Sequence, residues 1–159
     1  PCAPSGCITL PCPSAPETPD EPETPDTPSM PDMPDTGSTS SFAQQVLTLG
    51  NRERTANGLS ALRLDDTLSR YAAVKSQDMH DNGYSSPTYG SPFDMMKSFG
   101  ITYNYAGENI AMGYSSPEAV MTAWMNSAGH RANILSANFT TLGVGYVADG
   151  GYWTQWFIG

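Results

Sequence analysis

Eleven of the fourteen prolines fall within residues 1–41, and this asymmetry limits where the chain can build a core. The same stretch carries seven acids and neither Lys nor Arg. Proline removes backbone donors, and so few apolar side chains cannot offset the entropy lost on ordering. Residues 1–41 therefore read as a disordered acidic stalk or linker, stiffened by recurring E-T-P-D and P-D-x-P units and extended by self-repulsion. A tether that lifts a domain from a surface and an inert interdomain leftover both fit that composition. Any packed core has to come from residues 42–159.

Of the net charge of −9, the stalk supplies −7, leaving nine acids and seven bases beyond it. That near-balance, with no basic run and no phosphate-cradling glycine loop, excludes the electrostatic footprint of nucleic-acid binding. No stretch of 18 apolar residues exists, so no transmembrane segment is expected. The opening PCAPSGCITL lacks a charged leader region and an initiator Met, which reads as a processed or trimmed chain. Cys2, Cys7 and Cys12 are the only cysteines, so residues 42–159 fold without disulfides. Their C-x4-C-x4-C spacing matches no familiar zinc pattern, and the odd count leaves at least one thiol free or paired with another chain.

Within residues 42–159, Ser40 and Ser41 can cap a helix whose apolar positions Phe42, Val46 and Leu49 recur at helical spacing, with Gly58 as its left-handed stop. After the extended GLSALRL, Asp65 or Asp66 opens a second helix through Leu68, Ala72 and Met79 to Asn82 and Gly83. Ser91 and Pro92 start a third, with Phe93, Met96 and Phe99 on one face and Gly100 as terminator. Ser116, Pro117 and Glu118 start a fourth, its buried face marked by Val120, Ala123 and Trp124. GVGYVA and YWTQWFI read as strands joined by Asp149, Gly150 and Gly151. Met95, Met96, Met112, Met121 and Met125 fit as core filler. Helices first and a hairpin last imply an α+β class, with Trp153, Trp156 and Phe157 buried by helices on both faces of a sheet.

The motifs GEN at 107–109, WMNSAGHRANIL at 124–135, GVGY at 143–146 and YWTQWF at 152–157 resemble, in order and spacing, bacterial CAP (SCP-like) domains. SPTYGSPFDMMKSFG at 86–100 is similar to the YkwD-type branch of spore-forming Gram-positive bacteria. The resemblance implies a three-layer α/β/α sandwich (the CAP fold). It also implies a cleft that in the family holds two histidines and two acids and can bind a divalent metal such as zinc. Residue by residue, the acid of GEN is Glu108 and the histidine of GHR is His130, both metal ligands by this mapping. The second acid corresponds to Ser127, with Asn126 beside it. The first histidine falls where Y-F-S-H-T-S-P-T-Y-G is typical and this chain reads Tyr84, Ser85, Ser86, Pro87, Thr88, Tyr89, Gly90. Either that ligand is lost or the sequence lacks a loop segment. His80, near a helix end, reads as a solvated or dipole-favoured residue rather than a substitute ligand.

Glu108 and His130 have a bland reading too, as a carboxylate and an imidazole that satisfy each other and nearby backbone groups. Asn109 and Asn133 read as hydrogen-bonding residues that fix loops. The function expected is a secreted or surface-displayed interaction or ligand-binding module, cell-wall or spore-associated, that requires no cofactor and binds zinc weakly. Its partner would be an extracellular protein, the cell wall or a small lipophilic ligand. The alternative is a metal-dependent hydrolase of peptide or cell-wall polymer, with Glu108 as general base or ligand and His130 as ligand. A zinc hydrolase ordinarily has three protein ligands plus an open water position, and the mapping supplies two. A nucleophilic Ser127 lacks an orienting acid identifiable by spacing.

Overall fold

The computed structural model describes residues 36–84 and 88–159, with side chains from residue 40 onward. The expected stalk lies outside the described residues except for its last six positions, which already belong to the first helix, α1 (Thr36–Ala56). This helix starts four residues before Ser40, so the serines read as its cap lie within it; the apolar periodicity that suggested a later start begins only at Phe42. Gly58 follows with φ 75°, the left-handed turn expected of it.

Local capping chemistry sets the next two helices. Asp65 accepts from the Leu68 amide at 2.7 Å and opens α2 (Asp66–Asn82), which Gly83 ends at φ 102°. Ser91 and Asp94 form a reciprocal capping box at the start of α3 (Pro92–Ser98). The buried pair on α3 is Met95 and Met96, whereas Phe93 is 43% exposed, correcting the face expected for it. Met112 is also exposed rather than core. Seven-residue α3 has too few turns for spacing alone to fix its orientation.

Four strands make one sheet: β1 (Arg63–Leu64), β2 (Ala106–Ala111), β3 (Thr141–Val147) and β4 (Tyr152–Ile158), in the order β1-β3-β4-β2. β1 runs parallel to β3, and the other two pairings are antiparallel. α2 and α3 cover one face, where Leu68, Ala72, Met95 and Met96 pack with Trp156. α1, α4 (Pro117–Met125) and α5 (Ala128–Ile134) cover the other, packing Val46, Val120, Trp124 and Ile134 with Trp153 and Phe157. The result is the three-layer α/β/α sandwich. Of the four rings on β4, Trp153, Trp156 and Phe157 are fully buried, each removing on the order of 150–250 Å² from water, and Tyr152 is partly buried.

GVGY has a packing role. A Cβ on Gly143 would lie 2.6 Å from the Leu68 backbone, and one on Gly145 would lie 2.3 Å from that of Ala72. Only glycine at both positions lets α2 lie directly on the sheet. α5 carries no sequence signal of its own, being seven residues long with Gly129 inside it.

Candidate functional site

β2 is an edge strand, and an edge leaves outward carbonyls to be satisfied or exposed. Two of them are taken by side chains. Asn133 Nδ2 donates to the Glu108 carbonyl at 3.1 Å, while Trp124 Nε1 and the Tyr84 hydroxyl donate to that of Ile110 at 3.1 and 3.3 Å. Asn109, fully buried, donates to the His130 carbonyl at 3.0 Å and to Gln155 Oε1 at 3.1 Å, and accepts from Asn133 at 2.9 Å. The asparagines of GEN and RANIL therefore pin α5 against β2, as hydrogen-bonding residues.

Alternation along β2 sends the Glu108 side chain to the other face, opposite Trp156 in the β2–β4 register. There the Trp156 indole N–H donates to Glu108 Oε2 at 2.7 Å. Burial pushes the Glu108 carboxyl above its ordinary pKa, outweighing the opposing pull of that hydrogen bond and of the Lys75 ammonium. Lys75 is itself buried on α2, as are Ser76, bonded to Thr154 at 2.9 Å, and Asp78. Asp78 accepts from Asn82 through Oδ1, and its Oδ2 is buried without a hydrogen-bond partner. The half-exposed Tyr84 closes the group. Its phenol pKa is raised by burial first, then by the charges of Glu108 and Tyr114.

Lys75 and Asp78 escaped sequence reasoning as polar residues of a helix. A signal existed nonetheless: Leu68, Ala72, Lys75, Ser76 and Met79 follow i, i+4, i+7, i+8, i+11, one continuous stripe. Arg54 was missed as well. Its buried guanidinium donates to the carbonyls of Ser60, Ile134, Ser136 and Phe139 at 2.7–3.2 Å, and burial lowers its pKa. It thereby holds the chain that leaves α5, and nothing local in the sequence announces those partners.

His130 sits on α5, half-buried, and burial lowers its pKa, favouring the neutral imidazole. Among the described residues no hydrogen bond or ion pair joins it to the Glu108 carboxylate, and no group of three His, Cys, Asp or Glu side chains is placed to hold a metal. Ser127 is the N-cap position of α5 and makes no side-chain capping bond. Asn126 ends α4, exposed, and lines a shallow groove against α1 with Leu49, Arg52 and Met125. Residues 85–87, where the loop histidine was sought, lie outside the described residues. His80 is engaged elsewhere: Nδ1 meets Asp81 at 2.6 Å and Nε2 meets Asp149 in the β3–β4 turn at 2.9 Å. Those bonds raise its pKa.

The sequence profile of the cysteine-rich secretory protein family, CAP, matches residues 47–158. The uncharacterised protein YkwD of Bacillus subtilis is 60% identical over 123 residues, which is 76% of this chain and 48% of that protein. The uncharacterised membrane protein YlbC of the same organism is 39% identical over 118 residues, 72% of this chain and 34% of that protein. The chain thus spans about half the length, or less, of these curated relatives. Among solved structures, an extracellular protein containing a SCP domain from Bacillus anthracis superposes with a TM-score of 0.72 at 37% identity, covering 82% of this chain and 45% of that one. An outer surface protein from Borrelia burgdorferi shares the fold at a TM-score of 0.67 and 20% identity, covering 78% of this chain and 94% of that one. With a family match running from α1 to β4 over the α/β/α sandwich described above, the chain belongs to the CAP, or cysteine-rich secretory protein, family.

Proposed function

We propose that this chain is an extracellular CAP module that acts by binding a ligand in the cleft beside β2. Glu108 carries the reading. It is the family acid, yet its carboxylate is held by the Trp156 indole and faced by Lys75, an arrangement suited to recognition more than to activating water. Ser127 stands where the resemblance would put the second acid, and it brings a hydroxyl instead of a charge. The exposed ring of Tyr84, close enough to feel the Glu108 charge, offers apolar contact beside it, a mix typical of ligand clefts. Extracellular placement rests on the similarity to the Bacillus anthracis extracellular protein, and display on a cell wall or spore is the finer form of that reading.

One observation favours the alternative, a hydrolase. The Glu108 pKa is raised by burial, which is the direction a general acid needs. Purified protein incubated with peptidoglycan and with casein, with and without added zinc, separates the two. The binding role predicts retention on sedimented Gram-positive walls, reduced in Glu108→Gln, with no soluble product. Metal-dependent release of fragments that disappears in Glu108→Gln would overturn it.

A further inference from the structure

We propose that Lys75 is the resident cation of the Glu108 site and holds the place that a divalent metal takes in clefts with a full set of ligands. Four observations converge on it. Lys75 is 5% exposed, an uncommon place for an ammonium without an acid nearby. It stands on α2 one turn beyond Ala72, which packs with Trp156, and Trp156 is the residue that grips Glu108 at 2.7 Å. Next to it Ser76 touches Thr154, which pairs with Ile110 on β2, so this turn of α2 lies over the same part of the sheet as Glu108. Asp78, three residues on and also buried, shares its helix flank and leaves one carboxylate oxygen without a hydrogen bond. A positive charge beside Glu108 and Asp78 offsets part of the cost of burying acids away from water.

The donor set that results does not suit zinc. A divalent ion approaching Glu108 meets a fixed ammonium, and beyond Glu108 the family mapping supplies only the His130 imidazole, whereas zinc sites draw on three or four protein ligands. Lys75 thus sets the specificity of the cleft, disfavouring cations and favouring ligands that present an anionic or strongly accepting group to the ammonium.

Calorimetric titration of the full chain, freed of metal by chelator, with zinc alone tests this. Wild type should bind at micromolar affinity or more weakly. Lys75→Met, close in length and apolar, should bind zinc at least tenfold more tightly, and the gain should vanish in Lys75→Met with Glu108→Gln. Lys75→Arg, which keeps the charge, should stay as weak as wild type. Nanomolar zinc binding by wild type would overturn the proposal even if no variant folded, and so would a folded Lys75→Met no tighter than wild type. Zinc affinity and turnover are separate readouts, so failure of the counter-cation role and failure of the binding role remain distinguishable.

Discussion

The two faces of the sheet are built on different principles. On the α1/α4/α5 face, polar groups are matched: Asn109, Asn133, Gln155 and Arg54 find partners in one another or in backbone carbonyls. On the α2/α3 face, glycines bring the helix into contact with the strands, and the charged groups Lys75 and Asp78 are buried while Glu108 is half-buried. Satisfied polar networks hold structure, while buried charges that cost stability persist where function needs them. The most recognisable motif residues of the first face are thus scaffold, and the candidate site lies on the second.

The sharpest blow to either face comes through β4. Trp156→Ala removes the ring that anchors α2 and α3 and should cost about 3–5 kcal/mol, read as loss of cooperative unfolding in urea. A near-native midpoint would mean that the α2/α3 face does not depend on it. Arg54→Ala should cost about 2–4 kcal/mol on the opposite face, because it orphans the two buried carbonyls of Ile134 and Phe139, each in the lower half of the roughly 1–3 kcal/mol range for an unsatisfied group. Arg54→Lys should restore little, since an ammonium lacks the planar fork that reaches carbonyls on two segments.

The smallest effect is the clasp between α2 and the β3–β4 turn. His80, between Asp81 and Asp149, has a folded pKa raised above the ordinary value near 6.5. Its contribution is therefore fully present below the unfolded pKa and is lost as pH rises through the raised folded one. Amide exchange at Gly150 and Gly151 should quicken across that interval in wild type, beyond the intrinsic pH effect. It should lose this dependence in Asp149→Asn, and high salt should weaken the clasp because the pair is solvent-exposed. An unchanged profile in the variant would show that the clasp contributes nothing.

Much of this architecture was legible because its signals are local. The Ser91 capping box, the stops at Gly58, Gly83 and Gly100 and the glycine turn of the hairpin each act within four or five residues, and each is present. The sandwich itself came through the motif resemblance. What was not legible depends on contacts far along the chain: Arg54 bonds residues some eighty positions away, and α5 is held by Asn109 and Asn133 rather than by its own periodicity. At the site, Glu108 was found by motif. Lys75 was overlooked because a lysine in a helix reads as solvated, although it occupies a stripe position, and no spacing rule pairs it with an acid on β2.

The central claim is that Glu108 is kept for function and Asn133 for structure, and melting the two isosteric or truncated variants side by side at pH 7 tests it most directly. Burial raises the Glu108 pKa, so its charged form is less favoured in the fold than in the unfolded chain. A neutral Gln, whose amide oxygen can still accept from Trp156, removes that penalty, and Lys75→Met beside it keeps the ammonium from being left without its acid. Glu108→Gln combined with Lys75→Met should therefore melt at or above the wild-type temperature, while Asn133→Ala, which frees the Glu108 carbonyl and Asn109, should melt several degrees lower, on the order of 1–2 kcal/mol. A fall in that paired variant as large as the fall in Asn133→Ala would contradict the account and make Glu108 one more part of the scaffold.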